Sequence, residues 1–213
     1  MKYAVVIVAA GSGSRMGLGF NKVYARLKDG RTILETTVSV FENDPDCEEI
    51  VVVTDSDLYR EKIDDTPEGK LVLAEGGDSR QASVRNGLDA VISPYVMVHD
   101  GARPFLSKDC LDRLKEALET HDAALLGVPC KDTVKHVENG RVIETYERST
   151  LLAAQTPQAF KTELLRECMA KAEAEGYLGT DDCSLVERYG NTPVIAVEGS
   201  YDNYKITTPE DIR

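Results

Sequence analysis

Continuous apolar runs that are rich in β-branched residues recur along the chain, and each predicts a strand that is buried on both faces. The predicted strands cover residues 3–10, 48–55, 70–77, 94–101, 123–130 and 192–199. The first of these runs, "YAVVIVAA", contains no charged residue. Strands of this kind are typical of a mainly parallel sheet that is covered by helices on both faces.

The segments between the predicted strands have the spacing of amphipathic helices. The predicted helices cover residues 32–44, 78–92, 107–121, 161–176 and 180–190. The third of them begins at Ser107, a residue type that is favoured at the N-cap. Because strands and helices alternate along the chain, the sequence predicts an α/β fold with a mainly parallel sheet.

Residues 131–150 interrupt this alternation. Two short runs of alternating apolar and polar residues flank Asn139 and Gly140, a dipeptide that is typical of a tight hairpin turn. The apolar residues of the segment are too few to form a core of their own. We therefore predict a polar β-hairpin arm that packs on another subunit.

Composition narrows the class of protein. A chain of 213 residues has the size of one domain, which we expect to span residues 1–213. The chain has no apolar run long enough to cross a membrane, and its N-terminal run lacks a signal-peptide cleavage site, so we expect a cytoplasmic protein. The net charge of −12, with no basic cluster, argues against nucleic acid as a partner. The five cysteines and three histidines are scattered, so a zinc site is not expected.

Glycines, cations and single carboxylates follow the predicted strands, at the ends where open parallel sheets bind ligands. In chain order these residues are Gly11, Arg15, Lys22, Gly76, Gly77, Asp78, Arg80, Ser83, Asp100, Gly101, Arg103, Lys131, Asp132, Thr133, Lys135, Asp202, Asn203 and Lys205. Close backbone approach and fixed cations suit a polyphosphate, and carboxylates suit the metal ion that accompanies it. The loops therefore predict a site for a polyphosphate and a metal ion.

The glycine-rich loop "AAGSGSRMGLGFNK" fits neither of two common phosphate loops. A P-loop requires four residues between its two glycines and a lysine and a hydroxyl residue directly after the second, but Gly11 and Gly17 are spaced differently and Leu18 follows Gly17. A dinucleotide fold requires an acidic residue about 20 residues further on, whereas the acid that ends the second predicted strand, Asp55, lies much further along. The cations at the two ends of the loop, Arg15 and Lys22, instead indicate neutralisation of charge in phosphoryl or nucleotidyl transfer.

Seven motifs, in this order and across nearly the whole chain, resemble those of the 2-C-methyl-D-erythritol 4-phosphate cytidylyltransferase family. They are "AAGSGSRMG…NK", "EGGDSRQASV", "VHDGARPF", "VPCKDTVK", "ERS…QTPQAF", "GTDDCSLVE" and "VEGSYDNYKITTPED". Ribitol-5-phosphate cytidylyltransferase shares the glycine loop and the "HD…RPF" motif and stays an alternative, as does a nucleotide-binding protein without turnover. The segments "VPCKDTVK" and "TDDCSLVE" are more similar to the erythritol-phosphate enzymes.

The resemblance implies a Rossmann-like nucleotidyltransferase fold and a homodimer that forms through the arm. It implies transfer of CMP from CTP to 2-C-methyl-D-erythritol 4-phosphate, with Mg²⁺ as cofactor, in non-mevalonate isoprenoid biosynthesis. The products would be CDP-methylerythritol and pyrophosphate. Because the attacking phosphate oxygen is already ionised at pH 7, no strong general base is expected.

The resemblance also implies a role for each candidate residue. Catalytic roles fall on Arg15, Lys22, Arg148 and Lys205, of which Arg148 would serve the active site of the partner subunit. The residues expected to bind the nucleotide are Ala9, Ala10, Gly11, Gly77, Asp78, Ser83, Asp100 and Gly101. Those expected to bind the acceptor substrate are Arg103, Thr133, Thr156 and Thr180, and those expected to bind Mg²⁺ are Asp100 and Asp202.

Some residues of these motifs suit structural roles. His99 is expected to pack or to form hydrogen bonds, and not to bind a ligand. Asp181 and Asp182 are expected to cap the helix that follows them. The pair Thr156-Pro157 would also suit a simple turn.

Overall fold

A mixed sheet with helices on both faces forms the main part of the fold. The structure, a computed structural model, describes residues 1–11, 20–63 and 69–212. Its strands are β1 (Tyr3–Val8), β2 (Cys47–Val53), β3 (Leu71–Ala74), β4 (Tyr95–Asp100), β5 (Ala123–Pro129), β6 (Lys135–Glu138), β7 (Arg141–Thr145), β8 (Leu152–Lys161) and β9 (Ile195–Glu198). Its helices are α1 (Ile33–Glu42), α2 (Ser56–Lys62), α3 (Arg80–Leu88), α4 (Lys108–Ala117), α5 (Thr162–Glu175) and α6 (Asp182–Tyr189).

Seven of the strands form the main sheet, in the order β3-β2-β1-β4-β8-β5-β9. The neighbouring strands are parallel except at β8, which runs antiparallel to both β4 and β5. The mainly parallel α/β fold that the sequence predicts is therefore confirmed. The central strand β8 and the short helix α2 are not among the predicted elements.

The sequence of β8 does not have the pattern of a buried strand. It contains the polar residues Gln155 and Gln158, with Pro157 between them, although proline is rare in central strands. Pro157 lies where the pairing between β8 and β5 shifts its register, so the missing N–H falls in an irregular part of the ladder. A turn at Thr156-Pro157 is therefore a wrong alternative, because both residues lie within the strand.

Alternate residues of β1 contribute to two separate cores, because successive side chains of a strand point to opposite faces. Tyr3, Val5 and Ile7 belong to the core that includes α1, α2 and α4. Ala4 and Val6 belong to the core that includes α3, α5 and α6. All five residues are fully buried, which is why their run in the sequence is continuously apolar.

The hairpin arm predicted within residues 131–150 is confirmed as an antiparallel pair of β6 and β7. Its turn residues, Asn139 and Gly140, have φ angles of 48° and 76°, the positive values that a type I′ turn requires. Every residue of β7 is exposed, as are most residues of β6. The arm therefore contributes no side chains to either core.

The predicted N-cap at Ser107 is also confirmed, since its side chain accepts a hydrogen bond from the backbone N–H of Cys110. Across the described parts of the chain, none of the helices is long and apolar enough to cross a membrane.

Candidate active site

A cleft of about 430 Å³ opens where the carboxyl ends of β1, β3 and β4 meet. All of the predicted nucleotide-binding residues except Gly101 line it, and so do Lys22 and Lys205. Gly101 follows Asp100 directly, and its N–H donates a hydrogen bond of 2.9 Å to the carbonyl of Val8. The cleft thus combines loops that the sequence analysis expects at one edge of the sheet.

Arg15 lies outside the described residues. Several predicted site residues that the structure does describe do not line this cleft. Thr133, Thr180 and Asp202 are exposed. Arg148 is exposed at the base of the hairpin, where its guanidinium donates a hydrogen bond of 2.8 Å to a backbone carbonyl. A single chain therefore does not bring Arg148 to the cleft.

The loop after β3 is held by a serine of α3. The hydroxyl of Ser83 accepts a hydrogen bond of 3.0 Å from the N–H of Gly77 and donates one of 2.9 Å to the carbonyl of Ser79. A Cβ on Gly77 would come within 2.6 Å of the side chain of Ala82, so this backbone path requires glycine. Ser83 therefore shapes one wall of the cleft.

Asn21 and Lys22 fasten the far end of the glycine-rich loop. The side-chain amide of Asn21 donates a hydrogen bond of 2.5 Å to the carbonyl of Ala9. The Nζ of Lys22 donates one of 2.7 Å to the carbonyl of Ile206. The ammonium of Lys22 is thereby placed between the first and the last loops of the site.

Asp100 is surrounded by three cationic side chains. Lys205 Nζ lies 3.0 Å and Arg103 Nε 3.4 Å from Oδ2 of Asp100, and Arg80 Nε lies 3.6 Å from Oδ1. Burial by itself would raise the pKa of this carboxyl, but the charges of Lys205, Arg80 and Arg103 outweigh it and hold the pKa well below its usual range. Asp100 is therefore ionised at neutral pH.

Arg80, the first residue of α3, connects Asp100 to a second carboxylate. Its Nη2 donates a hydrogen bond of 2.8 Å to Oδ2 of Asp182, whose side chain is 1% exposed. The predicted capping role is confirmed for Asp181, because its side chain accepts from the N–H of Ser184 at the start of α6. The side chain of Asp182 instead pairs with Arg80.

Thr156 orients the end of β4 through a buried chain of hydrogen bonds. Its hydroxyl accepts from the N–H of Asp100 at 3.0 Å and lies 3.1 Å from Nδ1 of His99. Burial lowers the pKa of His99 to about 4, so its ring is neutral. Because Nε2 of His99 faces the carbonyl of Arg103 at 3.1 Å, we assign the proton to Nε2, and Nδ1 accepts from Thr156. His99 thus has the hydrogen-bonding role that the sequence analysis predicts.

Arg103 and Asn203 join the loop after β9 to the cleft. Nη1 of Arg103 donates a hydrogen bond of 2.7 Å to the carbonyl of Asn203, whose side-chain amide donates one of 2.9 Å to the carbonyl of Thr156. Both side chains are largely buried. The guanidinium of Arg103, expected at the acceptor site, therefore contacts Asp100 and this loop, and it helps to position Lys205.

One carboxylate of the cleft, that of Asp100, suits a metal ion. Within the described residues, no group of three or more His, Cys, Asp or Glu side chains is placed to hold a metal. The second predicted ligand, Asp202, is exposed and does not line the cleft. Mg²⁺ is commonly held by one or two carboxylates together with substrate phosphates and waters. The ionised Asp100 fits this kind of binding, in which the nucleotide supplies further ligands.

Two residues of this network, Arg80 and Asn203, received no individual role in the sequence analysis, and Asp182 was expected to cap α6. Arg80 and Asn203 follow predicted strands, so their position at the ligand-binding edge was an available signal. No local signal indicates that Asp182 pairs with Arg80, because the two residues are 102 positions apart in the chain.

A mainly parallel sheet whose carboxyl edge carries close-approaching backbone, cations and an ionised carboxylate is typical of α/β nucleotidyltransferases. The family model of IspD, 2-C-methyl-D-erythritol 4-phosphate cytidylyltransferase, matches residues 3–213. The chain therefore belongs to this family and is an enzyme of the cytidylyltransferase class. The resemblance seen in the seven motifs is confirmed.

Individual relatives agree with this assignment. The chain is 46% identical to the 2-C-methyl-D-erythritol 4-phosphate cytidylyltransferase of Bacillus velezensis, over 100% of this chain and 93% of that protein. It is 44% identical to the enzyme of the same name from Geobacillus thermodenitrificans, over 100% of this chain and 94% of that protein.

Solved structures of proteins with this name have the same fold. The crystal structure of the Francisella tularensis protein superposes with a TM-score of 0.87 at 31% identity, over 100% of this chain and 97% of that one. The protein from Thermus thermophilus gives a TM-score of 0.82 at 37% identity, over 100% of this chain and 96% of that one.

Proposed function

We propose that the protein transfers CMP from CTP to 2-C-methyl-D-erythritol 4-phosphate and releases pyrophosphate, as a step of non-mevalonate isoprenoid biosynthesis. The proposal rests on one observation in particular: Lys22, Lys205 and the ionised Asp100 share a cleft that residues of the strand-end loops line. Two anions that must react with each other need such cations between them. The proposal includes a cytoplasmic location, as the sequence analysis expects.

The nucleotide would be held mainly by backbone groups. Residues 9–11 and 77–79 line the cleft, and the hydroxyl of Ser83 fixes the second of these segments. Backbone N–H groups of such loops are suited to phosphates and to the polar edge of a base. Lys22, fastened at the carbonyl of Ile206, would add positive charge beside the triphosphate.

Asp100 would hold Mg²⁺ together with the phosphates of the nucleotide. Bound there, Mg²⁺ would withdraw negative charge from the phosphates and so favour attack at the α-phosphorus. Thr156 accepts a hydrogen bond from the backbone N–H of Asp100, and Arg103 contacts Oδ2 of Asp100. These two contacts orient the carboxylate. Both therefore support the metal site without entering it.

The acceptor phosphate would be attracted by Lys205 and by Arg148 of a second copy of the chain. The attacking oxygen is ionised at pH 7, so the reaction requires charge neutralisation and orientation more than a base. His99 could not act as the base, because it is fully buried and both ring nitrogens form hydrogen bonds within the fold.

The arm would form a homodimer. Four of its apolar side chains, Val137, Val142, Ile143 and Tyr146, are between 41% and 61% exposed. A two-stranded hairpin is marginally stable by itself, so a second copy that covers these side chains would stabilise it. The same contact would carry Arg148, which lies next to the hairpin, toward a neighbouring cleft.

The test is pyrophosphate release by the purified protein with CTP, Mg²⁺ and 2-C-methyl-D-erythritol 4-phosphate. A parallel reaction contains ribitol 5-phosphate as the acceptor. We expect release with the first acceptor and little with the second. Release with ribitol 5-phosphate alone would assign the protein to the ribitol enzymes. CTP binding without release in either reaction would indicate a nucleotide-binding protein without turnover.

A further inference from the structure

We propose that Asp182 is a positioning residue that holds Arg80 away from Asp100, and that this keeps one oxygen of Asp100 open to a metal ion. The inference rests on the proposed function, because it concerns the Mg²⁺ that would accompany CTP. It adds a role for a buried carboxylate on α6 that faces the site through Arg80.

The guanidinium of Arg80 lies between two carboxylates and is hydrogen-bonded to one of them. Its Nη2 is 2.8 Å from Oδ2 of Asp182, whereas its Nε is 3.6 Å from Oδ1 of Asp100, which is beyond hydrogen-bond distance. The other oxygen of Asp100, Oδ2, is engaged by Lys205 at 3.0 Å. Among the described residues, Oδ1 of Asp100 thus has an attractive neighbour but no hydrogen bond.

Asp182 is anchored and cannot follow Arg80 toward the cleft. Its backbone N–H and that of Cys183 donate hydrogen bonds of 3.1 Å and 2.9 Å to Oε1 of Gln158 on β8. The amide of Gln158, 1% exposed, donates one of 2.7 Å to the side chain of Asp181. The N-terminus of α6 is therefore fixed against the sheet.

The start of α3 is fixed to the segment before α6 by contacts that do not involve Arg80. Nε2 of Gln81 donates to the carbonyl of Tyr177 at 3.2 Å, and the N–H of Gly179 donates to Oε1 of Gln81 at 3.0 Å. These bonds remain when the charge of Asp182 is removed. The expected response is a reorientation of the Arg80 side chain, with the two elements still in contact.

A guanidinium that loses one carboxylate turns to the nearest other one, and arginine forms its strongest pairs when two N–H groups meet one carboxylate. For Arg80 that carboxylate is Asp100, already 3.6 Å away. If Arg80 were hydrogen-bonded to Oδ1 of Asp100, a metal ion would have to displace the guanidinium before it could bind this oxygen. Asp182 thus keeps the Arg80–Asp100 ion pair at 3.6 Å and prevents a direct hydrogen bond that would compete with Mg²⁺.

The test measures the affinity for CTP by calorimetry over a series of free Mg²⁺ concentrations and determines the Mg²⁺ concentration of half-maximal effect. We expect Asp182→Asn to raise this concentration about tenfold, the order of one charge-assisted hydrogen bond. At saturating Mg²⁺ the affinity should return toward that of the wild type. The matched control is Glu187→Gln, which removes one exposed charge from the same helix and leaves both Arg80 and the anchor of Asp182 intact.

A second variant shows whether Asp182 acts through Arg80. Arg80→Gln removes the competing cation, so we expect a lower Mg²⁺ requirement than in the wild type. In the Arg80→Gln protein, Asp182→Asn should not change the Mg²⁺ requirement further. If Asp182 acted on the metal ion only through its own charge, the effect of Asp182→Asn would persist in this background. Arg85→Gln on the same helix, which loses an exposed pair with Glu173, is its control.

Four results would overturn the inference. Two are a wild-type CTP affinity that is independent of Mg²⁺ and an unchanged Mg²⁺ requirement in folded Asp182→Asn. The others are an equal effect of Asp182→Asn in the wild type and in Arg80→Gln, and an Mg²⁺ requirement in Arg80→Gln that does not fall. The last result remains decisive if Asp182→Asn does not fold. Failure of the proposed function would appear separately, as absence of pyrophosphate release from the wild type.

Discussion

The ammonium of Lys205 lies 3.0 Å from the carboxylate of Asp100, and this contact joins the loop after β9 to the end of β4. Lys205 is 36% exposed, so it is available to a ligand as well as to Asp100. In the proposed reaction its charge offsets the repulsion between the acceptor phosphate and the nucleotide, which is greatest in the transition state.

We therefore expect Lys205→Met to lower kcat by about 100-fold or more, the order found when one transition-state donor is removed. The affinity for CTP should change much less. Steady-state rates of pyrophosphate release and calorimetric CTP binding provide the two quantities. Lys205→Arg keeps the charge and should retain more activity than Lys205→Met. Equal losses of affinity and rate would contradict this role.

Lys22→Ala should likewise reduce turnover more than it reduces CTP binding. The ammonium of Lys22 is held at the carbonyl of Ile206, beside the loop that would cradle the triphosphate. Its charge counts most when the pyrophosphate group leaves. Single-turnover rates and CTP titrations measure the two effects. Lys28→Ala, which removes an exposed lysine from a turn, is the control.

Thr156→Val should affect both stability and activity. The hydroxyl of Thr156 bonds to the backbone N–H of Asp100 and to His99, and burial leaves these groups without water as a substitute. We expect the free energy of unfolding to fall by about 1–3 kcal/mol and kcat to fall as well. Denaturant titration and steady-state kinetics provide the measurements.

The matched control for Thr156→Val is Thr162→Val. Thr162 is also buried, and its hydroxyl donates a hydrogen bond to the carbonyl of Ser93, away from the cleft. This variant should lose comparable stability with its kcat unchanged. An activity loss in Thr162→Val that equals the loss in Thr156→Val would mean that destabilisation alone explains both.

A comparison of β1 with β8, the strand that contains Thr156, indicates which parts of the structure can be predicted from sequence. The parallel strands could be predicted because burial on both faces leaves a continuous apolar run, as in β1. β8 could not, because Gln158 lies in its centre. Gln158 is acceptable there since the N-terminus of α6 satisfies its side chain, a contact between residues 24 and 25 positions apart.

The same distinction applies to the site. Lys22, Asp100 and Lys205 each follow a strand or lie in a distinctive loop, so position and charge together indicate them. Asp182 looks like a helix cap in the sequence and pairs with Arg80 only after the fold brings α3 and α6 together. Tertiary pairing of two ordinary charged residues leaves no periodicity or spacing to detect.

His99 should make stability depend on pH in a defined range. Because burial lowers its pKa from 6.5 to about 4 in the folded state, the unfolded chain binds the proton more tightly. Its contribution to stability is therefore complete above pH 6.5 and is lost as the pH falls toward about 4. The loss should amount to about 3 kcal/mol. Below this range the depressed pKa of Asp100 adds a further loss.

The measurement is the free energy of unfolding of the wild type and of His99→Gln between pH 7 and pH 4. The variant should show a shallower fall over this range. A slope that is the same in both proteins would refute the prediction.

The arm should supply Arg148 to the active site of a second subunit. Arg148 is exposed beside the hairpin and does not reach the cleft of its own chain. We expect Arg148→Ala and Lys22→Ala proteins to be inactive alone and to regain activity when they form heterodimers. In such a heterodimer, one of the two sites combines an intact Lys22 with an intact Arg148 from the other chain. Purified heterodimers should therefore have about half the activity of the wild type, since their second site lacks both groups. Confirmed heterodimers that remain inactive would show that Arg148 does not act across the interface.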